Sequence, residues 1–345
     1  MNTLVTKPLL PEGTIDAGAG EAFVVRNCLS KFVDLEKGYF TAGDNLWTYP
    51  SPNGYKPLVD LLESKHNAKV IVTHGAKQAL GATFYALSKM GHSYIGMTDP
   101  YWALIPPLAE YHKLESNFID VQDVVKAVNM GLKDPYLLLA PNNPDGQCLD
   151  FETLKGIHME CYANNVPFVH DAAYFSHTYL PSSYELGPLG DVQIFSMSKS
   201  FGLSSLRLGY AVCHDEKYAS YIEEYMEMMT VGVSSVTQQM LYNLLCWAKY
   251  YPEEYAEFLK DSFNALQNAK KIVKGINPEV LEVPENIENV PGMFLWAKMG
   301  PKADFAKAKI NVIPGAAFGK AGYMRMNLAL PEEQLKEIVE RLNNL

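Results

Sequence analysis

The stretch SMSKSFGLSSLRLGY, Ser196 to Tyr210, sets a lysine among small polar residues directly after Val192–Phe195, an apolar run that reads as a strand. A lysine in such a place is ordinarily a solvated loop cation. It is also where an amine nucleophile that forms an imine with a carbonyl cofactor would stand. Eight residues on comes Arg207. The chain has only three other arginines, Arg26, Arg325 and Arg341, against twenty-five lysines. An arginine kept in so lysine-rich a chain points to a use for its planar fork. Ser196, Ser198 and Arg207 can converge on one phosphate, the hydroxyls donating and the guanidinium binding bidentately.

Upstream of this stretch the same arrangement recurs. Val166–His170 reads as a strand, and Asp171-Ala172-Ala173-Tyr174 follows it with a carboxylate and a phenol. An acid there also suits a helix cap. The strand PYLLLA (135–140) runs into Pro141-Asn142-Asn143-Pro144-Asp145-Gly146, which taken alone is a turn. Lys69–Thr73 and Ser93–Thr98 are further strands, followed by helices over Lys77–Met90 and Ala103–Lys113. Phe151–Asn164 reads as a helix and Leu208–Cys213 as a strand. Short apolar strands alternating with helices of about 10 to 15 residues predict an α/β fold with a mostly parallel sheet buried on both faces. Ligands of open α/β sheets bind at the carboxyl ends of the strands. The turn at Gly75, Asn143, Asp171 and Lys199 all lie at such ends.

Around this core the chain changes character. A helix is expected over Glu21 to Lys37, then the turn Tyr49-Pro50-Ser51-Pro52-Asn53-Gly54. Lys217–Asp261 reads as helical with a break near Val231-Gly232-Val233. Beyond about residue 280 come short strands at Val280–Val283, Met293–Met299, Val312–Ile313 and Tyr323–Leu328, and a helix from Pro331. The division predicted is an N-terminal segment, 1–45, joining a small domain; a large domain, 46–245; and a smaller α+β domain, 246–345.

Composition excludes several classes of function. With 345 residues, 48% of them hydrophobic, the chain can bury a sizeable core. A net charge of -10 without a long basic run speaks against nucleic acid and anionic membranes as partners. No window approaches the roughly 20 apolar residues of a membrane span, and the N-terminus does not read as a signal peptide. Five scattered cysteines with no C-x-x-C pair argue against a disulfide framework and a zinc site, so no metal is expected and the compartment expected is the cytoplasm.

The pieces THGAKQAL (73–80), DPYW (99–102), PNNPDG (141–146), DAAY (171–174), SMSKSFGLSSLRLGY (196–210) and MRMNLA (324–329) together resemble the class I/II aminotransferases, pyridoxal 5'-phosphate (PLP) enzymes of fold type I. In that fold a mostly parallel sheet is sandwiched by helices in a large domain beside a smaller α+β domain. The resemblance implies that Lys199 holds PLP as a Schiff base and moves the substrate Cα proton. It implies that Asp171 pairs with the pyridine nitrogen, and that Asn143 and Tyr174 bond the ring 3'-oxygen. Trp102 would stack on the ring. Gly75, Ala76 and Lys77 at a helix start, with Ser196, Ser198 and Arg207, would hold the phosphate. Arg325 would grip the substrate α-carboxylate, with Gly20, Asn143 and Trp102 beside it, although this chain has Ala22 where the family's G-E-P segment has proline. Tyr49 matches a tyrosine that reaches the neighbouring subunit's cofactor phosphate, which implies a homodimer with shared sites.

The implied partners are an L-amino acid and a 2-oxo acid. Which ones stays open among aspartate, aromatic and histidinol-phosphate substrates. No arginine lies between Arg207 and Arg325 to meet a second carboxylate. Lys77 is a candidate for that task as well as for the phosphate, and Arg26 is either a surface residue or an anchor from the N-terminal segment. A PLP-dependent lyase or decarboxylase would share Lys199, Asp171 and Arg207. A non-catalytic regulatory module would need a DNA-binding domain for which the matched span leaves no room.

Overall fold

The computed structural model describes residues 10–34, 48–187 and 189–345. Its larger sheet has seven strands in the spatial order Lys69–Thr73, Gly209–Cys213, Val192–Ser196, Phe168–Asp171, Tyr136–Leu139, Tyr94–Met97 and Glu115–Phe118. All run parallel except Gly209–Cys213, which is antiparallel to both neighbours. Every residue of Tyr136–Leu139, Phe168–Asp171 and Gly209–Cys213 is buried, because helices cover both faces and apolar side chains are wanted on each. Glu115–Phe118 is the exception. It is a half-exposed edge strand of sequence ESNF, and without an apolar run it gives no strand signal.

The helix Lys56–His66, also without a clear sequence signal, follows the Pro-rich turn and carries Pro57 in its first turn, where a missing N–H costs nothing. The expected helix over Glu21–Lys37 is observed as Phe23–Leu29, its predicted end lying outside the described residues. The break at Val231 is present: helix Glu216–Thr230 ends there with Val231 in the left-handed region.

The smaller sheet is antiparallel, in the order Ile313–Pro314, Tyr323–Asn327, Phe294–Met299 and Leu281–Glu282. The strand expected at Val312–Ile313 is two short pieces instead. Ile310–Asn311 pairs with Ile15–Asp16, whereas Ile313–Pro314 pairs with Tyr323–Asn327, so the chain changes partner at Val312. The boundary expected at 245/246 falls inside helix Ser235–Tyr250. Helix Pro252–Val273 gives Phe258 and Leu266 to the larger core, and Ala269 and Val273 to the smaller. The two units therefore share a helix. The N-terminal segment also serves both, pairing Ile15–Asp16 with the smaller unit and burying Val25 and Leu29 in the larger.

Candidate active site

A cavity of about 680 Å³ opens where the carboxyl edge of the large sheet faces the smaller unit. Sheet register explains why the predicted residues meet there. Leu139 is level with Asp171, and Asp171 with Ile194; Thr73 and Ser196 both sit opposite Gly209. Every loop that leaves these ends enters the same space.

One end of the cavity is built first from backbone. Gly75 caps helix Ala76–Lys89 with φ +77, which turns the strand straight into a helix start whose free N–H groups can meet an anion. A Cβ on Gly75 would sit 3.0 Å from Arg207 Nη2. On Gly209 it would sit 2.7 Å from the Ala76 nitrogen and 2.5 Å from the Phe195 carbonyl, so glycine lets the antiparallel strand close on this turn. Arg207, in the left-handed region at φ 51, donates through Nη1 to the Ser204 carbonyl at 2.7 Å and to Ser198 Oγ at 3.4 Å. Replacing Gly75 by alanine should cost about 1–3 kcal/mol of stability, because φ 77 with ψ 168 is a backbone region almost confined to glycine, and push Arg207 aside. Thermal denaturation and equilibrium dialysis with a phosphorylated cofactor check this; an unchanged cofactor affinity would take the turn out of the phosphate site.

Lys199 stands in the short helix Met197–Ser200, and its amine donates to the Gly20 carbonyl. Burial lowers its pKa to about 8, with the Arg325 and Arg207 charges acting the same way and Glu21 opposing them. Asp171 is 3% exposed and accepts from the Ala173 N–H at 3.1 Å. Burial raises its pKa to about 7. Arg325 is buried with only neutral partners: Nη1 donates to Asn143 Oδ1 at 3.0 Å, Nη2 to the Gly18 carbonyl at 2.7 Å, and Nε has none. Its guanidinium lies 4.2 Å from the Phe294 ring centroid. Among the described residues the cavity thus offers a helix start beside Arg207 that suits an anion, a buried acid without a cation and a buried cation without an acid, all around one amine of lowered basicity.

Most of the predicted residues converge here. Lys199, Asp171, Tyr174, Asn143, Trp102, Ser196, Ser198 and Arg207 line this cavity, as do Ala76, Lys77, Gly20 and Arg325. Gly75 borders it through Arg207. Tyr49 does not line it and is 88% exposed. Arg26 lies outside the cavity lining, its guanidinium over the Phe23 ring and its backbone against Gly202. Sequence reasoning missed Phe294, Glu21 and Ile313. An aromatic in a strand reads as core, and nothing local in Phe294 announces a guanidinium above it. Glu21 had a signal, being a charge beside Gly20 in an irregular stretch; its carboxylate accepts from Ser204 Oγ at 2.5 Å.

The family model for aminotransferase class I and II matches residues 11–342. A probable aspartate/prephenate aminotransferase of Aquifex aeolicus is 27% identical over 310 residues, spanning 80% of this chain and 75% of the relative. An aromatic aminotransferase of Arabidopsis thaliana is 25% identical over 307 residues, spanning 80% and 74%. The solved aspartate aminotransferase from Thermus thermophilus with maleate superposes with a TM-score of 0.76 at 19% identity, covering 96% of this chain and 91% of that one.

Proposed function

Because this chain belongs to the class I and II aminotransferases, we propose that its PLP-dependent transfer of amino groups between an L-amino acid and a 2-oxo acid runs through Lys199 in the cavity just described. The carrying observation is the charge pattern around that amine. PLP has a phosphate, a basic ring nitrogen and an aldehyde. The phosphate fits the cradle of Gly75, Ala76, Lys77, Ser196, Ser198 and Arg207. The ring nitrogen, protonated, fits Asp171, a buried acid that lacks a cation among the described residues. Arg325 is left free for the substrate α-carboxylate. When bound, PLP supplies an electron sink for the charge left as a bond at the substrate Cα breaks.

The chain's own groups do the rest. Lys199 Nζ, of lowered basicity, would anchor the cofactor and carry the Cα proton. Asp171, buried in the same cavity, would keep the ring nitrogen protonated. Asn143, which accepts from Arg325, and Tyr174 line the same cavity and would bond the ring oxygen, and Trp102 would cover the ring. Arg325 fixes the carboxylate, so that the Cα–H bond is presented to Lys199. Gly20 leaves room there: a Cβ on it would lie 3.3 Å from Lys199 Nζ.

The active unit in this reading is a homodimer in which Tyr49 completes the partner's phosphate site. Its exposure supports this, as does the apolar surface of Met228, Met229 and Val231 close by, where Gly232 packs on Pro50. A cytoplasmic setting is supported by five free cysteines. No helix of the described residues is long and apolar enough to cross a membrane.

The test is a half-reaction with PLP-loaded protein and single amino acids, following cofactor absorbance and identifying the product. Stoichiometric formation of pyridoxamine phosphate with the matching 2-oxo acid is expected. Release of ammonia or carbon dioxide with the cofactor unchanged would overturn the reading.

A further inference from the structure

We propose that the substrate side chain is apolar, aliphatic or aromatic, and that Ile313 with Leu104 forms the wall that selects it over a second carboxylate. This rests on the function proposed above and names the substrate class of the same site.

Assigning the charges of the cavity leads to this conclusion. Arg325 takes the α-carboxylate, Arg207 the phosphate, Lys199 the reacting carbon and Asp171 the ring nitrogen. What remains of the described lining on the small-domain side, next to Arg325, is Asn311, Val312, Ile313 and Pro314, with Phe294 under the guanidinium. Ile313 sits level with Arg325 across the antiparallel pair, so its side chain accompanies the guanidinium on one face of the sheet. It also reaches the N-terminal segment, since a Cβ on Gly18 would be 3.2 Å from Ile313 Cδ1. Leu104 comes from the other unit, two residues after Trp102.

The polar groups on this side are already engaged, and those with charge have the wrong sign. Asn311 donates through Nδ2 to Asp16 Oδ1 at 2.8 Å, and that oxygen also takes the Gly18 and Ala19 N–H groups at 3.2 Å each. Glu21 is held by Ser204. Asp16 lines the cavity on this side as an acid, so a second substrate carboxylate would be desolvated against apolar carbon and a like charge. An apolar side chain meets neither penalty and gains from burial.

Among the described residues that line the cavity, Lys77 is the cation that could contradict this. Its ammonium lies 5.9 Å from the Trp102 centroid, and burial and then the Arg207 charge lower its pKa. Its backbone belongs to the helix start after Gly75, not to the small-domain wall, so its variant decides between the two readings.

The experiment compares donors and unreactive analogues on the PLP-loaded protein. Leucine, methionine and phenylalanine are expected to exceed aspartate and glutamate at least tenfold in kcat/KM. By calorimetry, 4-methylpentanoate and 3-phenylpropanoate should bind at least tenfold tighter than maleate. Ile313→Lys should move the donor ratio at least tenfold toward aspartate. Lys77→Met should weaken cofactor retention while leaving the donor ratio in place. Preference for dicarboxylates in turnover or analogue binding, or a dicarboxylate preference lost in Lys77→Met, would overturn the proposal while leaving the aminotransferase reading intact. Failure of every donor to give a 2-oxo acid would instead overturn the reading beneath it.

Discussion

Lys199→Ala should lose amino transfer by at least about three orders of magnitude, because one side chain serves both as the cofactor's covalent anchor and as the proton carrier; general acid–base catalysis alone is worth about 10²–10⁴-fold. The variant should still bind PLP, since Arg207, Ser198 and the helix start at Ala76 are untouched. Its bound cofactor should show no imine absorbance and wash out on dialysis. Borohydride reduction of the parent, followed by peptide mapping, should find the cofactor on Lys199. The pH dependence of capture gives a second readout. Burial and the Arg325 charge bring the amine to about 8 in the cofactor-free protein. The neutral amine is the reactive form, so the rate of covalent capture should rise with pH below about 8 and level off above it, rather than keep rising toward the ordinary lysine range. A Lys199→Ala protein that transaminates at the parent rate, or a reduced adduct on a different lysine, would end the assignment.

How much of this site could be read from sequence depends on what each residue does alone. Lys199, Asp171 and Arg207 stand at strand ends, and the residue type already limits the chemistry. The open-sheet rule then gathers them on one edge, and the register of Asp171 with Leu139 and Ile194 is the physical means. Arg325 stood out by scarcity, although its burial between Phe294 and Phe318 depended on strands that meet only in the folded protein. Ile313 and Phe294 carried no signal: an isoleucine and a phenylalanine in strand-like stretches announce a core, and only the pairing with Arg325 and Tyr174's edge-on contact with Phe294 bring them to the cavity. The same limit applies to the fold. Fully apolar strands such as Tyr136–Leu139 declare themselves, whereas Glu115–Phe118 is a strand because an edge was available beside Tyr94–Met97.

Asp171→Asn should lower kcat by about two to three and a half orders of magnitude, while PLP is still captured by Lys199. Removing one partner of a buried ion pair costs about 3–5 kcal/mol, and here that loss falls on the state in which the ring carries the substrate's electrons. Cofactor affinity should fall less, because the phosphate cradle is separate. Stability distinguishes this role from a structural one. In the cofactor-free protein Asp171 is a buried acid without a cation, raised by burial from the ordinary carboxylate range to about 7. A folded-state pKa raised in this way gives stability that is full below about pH 4 and is lost as pH climbs toward 7. The cofactor-free Asp171→Asn protein should therefore melt no lower than the parent at pH 7, and should lack that part of the slope between pH 4 and 7. With PLP bound the comparison should reverse, the parent gaining more from the cofactor than the variant, since only the parent can pair the ring nitrogen. A cofactor-free variant that melts well below the parent would make Asp171 a structural residue, and an unchanged kcat would separate it from the reaction.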